Sequence, residues 1–184
     1  SIADIKADLK AQTMQCESGG KIHTGFNGAF AEVHTEIQNF IDTLEDELPL
    51  FITGHSLGGA LATVATKKLT YKHGIAACYT YGSPRVADEE WVRNIRTPIY
   101  RLVNSADPVT MLPPGADTIN FFAWLIKFIP YVGRSVRTIL LSNLNGYYHS
   151  GDMRYLTNIE KGDYKSAKVL YHVSFLRRIR AYVL

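Results

Sequence analysis

At 184 residues the chain has one-domain length, and its 46% hydrophobic and 20% charged content with only two cysteines excludes disordered, collagen-like and disulfide-scaffold classes. Its 20 basic and 17 acidic residues leave a net +3, far from the basic excess of a nucleic-acid binder, so no nucleic-acid partner is expected. That total averages two unlike parts, since residues 1–117 hold 10 Lys/Arg against 14 Asp/Glu, net −4, and residues 118–184 hold 10 against 3, net +7.

At the start, Ile2, Ile5 and Leu9 recur at spacings of three and four among Asp4, Lys6, Asp8 and Lys10. This is the pattern of an amphipathic flap over Ser1–Gln15 or of a plain surface helix. The same charges exclude a signal peptide over Ser1–Leu9, which leaves secreted and cytoplasmic locations both open. Cys16 and Cys78 have no C-x-x-C spacing and are expected as free, buried thiols. From Ala29 to Leu44, Phe30, Val33, Ile37, Phe40, Ile41 and Leu44 mark an amphipathic helix. Pro49 ends any helical reading and opens the short apolar strand Leu50–Thr53. Gly54-His55-Ser56-Leu57-Gly58-Gly59 then leads into a helix carrying Ala60, Leu61, Val64, Ala65 and Leu69.

The alternation continues with a strand over Ala76–Tyr81, a turn at Gly82-Ser83-Pro84, a short helix over Ala87–Ile95 and a strand over Ile99–Val103. Strands separated by helices need crossover connections and lie parallel, so the fold class is α/β with a mostly parallel sheet flanked by helices. Pro108, Pro113, Pro114 and Gly115 mark a long loop. The apolar run that follows, Ile119–Val132, is interrupted by Lys127 and Pro130 and is not a spanning segment. It reads as a core helix, or as a stretch that meets a lipid surface with Lys127, Arg134 and Arg137 toward anionic head groups. The expected close is a short helix after His149 and a helix over Leu170–Leu184.

Gly54-His55-Ser56-Leu57-Gly58 fits G-x-S-x-G, in which a serine sits on a strained strand-to-helix turn and small residues let the backbone fold back. A serine hydroxyl needs a base within hydrogen-bond reach and a carboxylate that orients the base. On this architecture the chain order is serine, acid, histidine. His73 precedes any plausible acid, so the base is His149 or His172, and the loop-like Tyr147-Tyr148-His149-Ser150-Gly151 favours His149. For the acid, Asp107 follows the strand Ile99–Val103 at the carboxyl edge of a parallel sheet, where ligands gather. Asp88 lies in a charged cluster with Glu89 and Glu90, and Asp117 follows a Pro-Pro-Gly turn. The backbone N–H of Leu57, the residue after the nucleophile, supplies an oxyanion donor. His55 is expected to pack beside its strand and His34 to be solvated.

His23-Thr24-Gly25-Phe26, Gly54–Ala60, Tyr81-Gly82-Ser83-Pro84-Arg85-Val86, Asp107-Pro108-Val109 with Leu112-Pro113-Pro114, and Tyr148-His149-Ser150-Gly151 together resemble the class 3 lipases, a family of α/β-hydrolases that includes fungal triacylglycerol lipases. The resemblance implies a single α/β-hydrolase domain over 1–184 with Ser56 as nucleophile, Asp107 as acid and His149 as base. It also implies hydrolysis of carboxylic esters, often acylglycerols, by a monomer with no cofactor and no metal, and a structural role for His23. The expected partner is a lipid or small ester, with membrane or lipid-droplet contact through residues 119–137. In the family a Gly-Thr or Gly-Ser segment supplying the second oxyanion donor precedes the stretch resembled by Ser1–Leu9. The chain is therefore expected to lack N-terminal strands. Two alternatives stand beside the acylglycerol lipase: a catalytically impaired domain that binds lipid surfaces, and a feruloyl-type or short-chain carboxylesterase.

Overall fold

The computed structural model describes residues 13–45, 47–104, 110, 146–156, 162 and 164–174. Asp107, Asp117, the run 119–137, the flap residues 1–12 and the close of the chain after 174 lie outside these residues. A two-stranded antiparallel ladder comes first, β1 Thr13–Gln15 with β2 Lys21–His23. Its turn is closed by Cys16 N–H to the Gly20 carbonyl at 2.9 Å, with Gly19 and Gly20 at φ +85° and +73°.

Helix α1, Thr24–Asp42, follows directly and starts five residues before the periodicity predicts. The cause is local: Nδ1 of His23 accepts from the amides of Gly25 at 3.1 Å and Phe26 at 3.4 Å and so caps the helix, the role side-chain acceptors play for unpaired first-turn amides. Phe26, Phe30 and Ile41 are buried, whereas Val33, Ile37 and Phe40, expected on the same inward face, are exposed. The apolar stripe of α1 is wider than the face that β2 and the next helix cover.

β3 Leu50–His55, α2 Leu57–Lys68, β4 Ile75–Tyr81, α3 Glu89–Arg93 and β5 Ile99–Asn104 realise the predicted alternation. The sheet order is β3-β4-β5-β6-β7, with β6 Asp152–Leu156 parallel to β5 and β7 Val169–Leu170 antiparallel to β6. The short helix expected after His149 is thus a strand. Asp152–Leu156 has no clean period, and pairing with β5 decides its conformation. The helix expected from Leu170 also fails within the described residues, because Leu170 pairs with Tyr155 and residues 171–174 are irregular.

Small residues let α2 press on the sheet: Gly59, Ala60, Ala62, Thr63, Val64, Ala65 and Thr66 are all buried. The two threonine hydroxyls return to the helix, Thr63 Oγ1 to the Gly59 carbonyl at 3.0 Å and Thr66 Oγ1 to the Ala62 carbonyl at 2.7 Å. Between α1, α2 and α3 the main core gathers Ile22, Phe30, Val64, Ala87 and Trp91. Trp91 is capped by Lys67, whose Nζ donates to the Trp91 carbonyl at 2.8 Å and lies 4.2 Å from the ring centroid. Both cysteines are free, Cys78 buried and Cys16 half-buried.

Candidate active site

Ser56 is the hinge between β3 and α2. Its amide donates to the Tyr81 carbonyl at 2.9 Å, which extends the β3–β4 ladder one step beyond the strand. Its own carbonyl then accepts from Gly59 N–H at 2.9 Å and Ala60 N–H at 3.3 Å, which starts the helix. To do both, Ser56 adopts φ +53°, ψ −122°, and it is the one non-glycine residue at positive φ among the described residues. Such a conformation costs about 1–3 kcal/mol and persists only where its surroundings impose it.

Those surroundings are glycines, though not the pair that the motif suggests. A Cβ on Gly54 would run into the carbonyl group of Gly58, and one on Gly59 would approach Ser83 Cβ to 2.8 Å. A Cβ on Gly58 would meet nothing within 4 Å among the described residues. The turn therefore depends on Gly54 and Gly59. Leu57 is the first residue of α2 and is 39% exposed. First-turn amides lack intrahelical acceptors and carry the positive end of the helix dipole, and the Leu57 N–H is one of them.

Serine and histidine are not brought together. His149 Nε2 lies 2.7 Å from the Thr110 carbonyl oxygen. A carbonyl only accepts, so Nε2 carries the proton and Nδ1 the lone pair. Burial holds the His149 imidazole down to about 2, and the Arg101 and Arg85 guanidiniums add to this, with the Thr110 bond opposing them. Arg101, on β5, is itself 7% exposed and is lowered to about 10 by burial, then by Arg85. No hydrogen bond joins Ser56 to a histidine among the described residues, which include all six histidines. His172 is exposed beyond β7, at the far end of the strand order from Ser56. His55 is exposed on β3, and His34 is half-buried with its ring edge-on to Phe30 at 5.5 Å. Both differ from expectation because strand alternation and helix phase, not the neighbouring motif, set their faces. Asp88 is a helix cap, Oδ1 accepting from Trp91 N–H at 2.9 Å.

The family model for class 3 lipases matches residues 1–116. The chain belongs to the class 3 lipase family. Among curated class 3 relatives, a secreted mono- and diacylglycerol lipase of Fusarium solani is 38% identical over 109 residues, covering 56% of this chain and 33% of its own length. A lipase of Rhizomucor miehei is 36% identical over 110 residues, 54% of this chain and 30% of the relative. The chain thus spans about a third of the length of the curated relatives it matches. Among solved structures, the mono- and diacylglycerol lipase of Aspergillus oryzae matches with a TM-score of 0.66 at 26% identity, over 98% of this chain and 60% of that one. A triacylglycerol lipase described as having a serine protease triad at its catalytic centre matches with a TM-score of 0.60 at 26% identity, over 86% and 54%. These likenesses bear out the α/β-hydrolase architecture expected of a class 3 lipase chain.

Proposed function

We propose that this class 3 lipase chain carries the nucleophile of a hydrolase acting on carboxylic esters of lipids, acylglycerols first among them. One observation carries the reading: Ser56 is held at positive φ on a strand-to-helix turn that Gly54 and Gly59 enforce, with the first amides of α2 beside it. In the proposed chemistry the Ser56 hydroxyl, relieved of its proton by a base, attacks the ester carbonyl, and the oxyanion is met by the Leu57 N–H. The alcohol leaves, and water releases the fatty acid. Asp107, read from chain order, is the proposed acid. The same order leaves His149 and His172, and the loop-like segment around His149 makes it the proposed base. The mono- and diacylglycerol lipases among the relatives support acylglycerol as the substrate class, and residues 119–137 are the proposed contact with a lipid surface.

A series of p-nitrophenyl esters from short to long acyl chains tests the reading. Turnover that rises toward medium and long chains and vanishes in Ser56→Ala supports it, and a preference for acetate or for feruloyl esters turns it toward an esterase. Binding to liposomes together with no hydrolysis of any ester would overturn it.

A further inference from the structure

We infer that the cavity between the β1–β2 turn and the helices α1, α2 and α3 is a binding site for an amphipathic carboxylate, a fatty-acid-like molecule whose head is held by Lys67 and Lys68 and whose apolar part lies on Met14 and Trp91. The inference stands apart from the reading of Ser56. Helix α2 is 12 residues long and starts just after Ser56, so Lys67 and Lys68 at its end lie about 15 Å from the elbow. What binds between them does not occupy the nucleophile's site.

The cavity has a volume of about 440 Å³, within the range of small-molecule sites. Met14, Cys16 and Trp91 give it apolar surface, Asn27 stands on α1, and the two lysines close it from the end of α2. Neutral acceptors fix both ammoniums. Lys67 Nζ donates to the Trp91 carbonyl at 2.8 Å and lies 4.2 Å from the centroid of its ring. Lys68 Nζ donates to Asn27 Oδ1 at 2.5 Å, and Asn27 Nδ2 in turn donates to Met14 Sδ at 3.2 Å. An ammonium carries further N–H donors, and neither of these acceptors carries a formal charge, so both lysines bring a net positive charge and spare donors to the cavity wall.

Lysines in the last turn of a helix ordinarily offset its carbonyl end from solvent, where an ammonium stays hydrated. These two are half-buried. Burial holds the Lys67 ammonium below the ordinary lysine range, against the opposing pull of Cys16, Asp88 and Glu90. Asp88 is committed to its own helix, with Oδ1 accepting from Trp91 N–H at 2.9 Å, and Glu17, the carboxylate on the cavity wall, is exposed. Lys67 and Ser18 also bound a second cavity of about 780 Å³, whose lining adds Arg96 and Arg93, the latter paired with Glu89. Cations thus outnumber carboxylates on both walls, and a half-desolvated cation gains most from an anion that reaches it directly. A small inorganic anion would leave the Met14 and Cys16 surface bare, and an alcohol would leave the ammoniums unanswered. A fatty carboxylate satisfies both, and it is also what the proposed hydrolysis releases.

The test titrates the full chain with decanoate below its micellar concentration, read by calorimetry and by proton–nitrogen correlation spectra at the Trp91 indole and the Asn27 side-chain amide. Binding that moves both signals, weakens by about tenfold or more in Lys67→Met and in Lys68→Met, and is kept in Lys68→Arg supports the inference. Lys68→Met breaks only the bond to Asn27 and so reads the charge even where Lys67→Met disturbs the fold around Trp91. Equal affinity for decanol would show that the charge is not used, and equal affinity for acetate or inorganic phosphate that the apolar wall is not. Unchanged affinity in both methionine variants would place the ligand elsewhere, and each of these three results overturns the inference. Ser56→Ala should leave the titration at Trp91 and Asn27 unmoved. A chain that binds decanoate here yet hydrolyses no ester sinks the hydrolase reading and leaves the site standing, whereas hydrolysis with no shift at Trp91 or Asn27 does the reverse.

Discussion

Replacing Gly54 by alanine tests the elbow through its steric cause. The added methyl would overlap the carbonyl carbon and oxygen of Gly58 and come within 2.8 Å of the Gly59 nitrogen. All three are backbone atoms, so relief comes only by lifting the first turn of α2 away from β3. That movement strains the bonds from Gly59 and Ala60 into the Ser56 carbonyl, 2.9 and 3.3 Å long, at about 1 kcal/mol for each bond weakened. Overpacking adds about 1–3 kcal/mol. Gly54→Ala is therefore expected to cost about 3–5 kcal/mol, which for a domain of this size lowers Tm by roughly 6–20 °C. Gly58→Ala is the control from the other half of the motif, because no described residue lies within 4 Å of its Cβ position and the residue is helical. There alanine gains up to about 1 kcal/mol of helix propensity, and Tm holds or rises. Thermal unfolding followed by circular dichroism reads both. Equal losses in the two variants, or a loss in Gly58→Ala alone, would refute the assignment of the strain to Gly54.

Three further outcomes are expected. His23→Ala removes the α1 cap and costs about 1 kcal/mol, whereas His23→Asn keeps an acceptor and most of that stability, as urea midpoints will show. Under native conditions an alkylating reagent modifies half-buried Cys16 first, while Cys78, buried and with its thiol pushed up by burial, reacts only after unfolding; peptide mass mapping checks the order. For His149 the folded value of about 2 lies below the ordinary 6.5, so as pH falls the unfolded chain takes up the proton first. Its contribution is whole above about pH 6.5 and is lost progressively toward pH 2, by at most about 1.4 kcal/mol per pH unit. Unfolding midpoints of wild type should decline through this window more steeply than those of His149→Gln, and parallel profiles would contradict the burial of a neutral imidazole.

The parallel α/β core was legible because its strands and helices differ in period and are punctuated by glycine and proline, as at Pro49 and Gly82-Ser83-Pro84. The position of Ser56 was legible for the same reason, since a strand, a glycine turn and a helix in succession leave one place for the serine. What failed was set by tertiary partners. β1 and β2 are three residues each and owe their existence to the glycine turn between them, a signal present in Gly19-Gly20 but too short for periodicity. The residues 152–156 became a strand because β5 offered an edge. The half of the α1 stripe formed by Val33, Ile37 and Phe40 stayed exposed because nothing in a helical period says how wide a face the neighbours will cover. The surroundings of His149 were not legible either, because the contacts around its imidazole, with Thr110, Arg101 and Arg85, are distant in sequence.

The central claim is that Ser56 is an activated nucleophile, and covalent capture tests it most directly. Incubation of the chain with a fluorophosphonate, followed by peptide mass spectrometry, should give one adduct per chain on the peptide holding Ser56 and none in Ser56→Ala. A folded chain that gains no adduct, or gains it at another serine, would contradict the account.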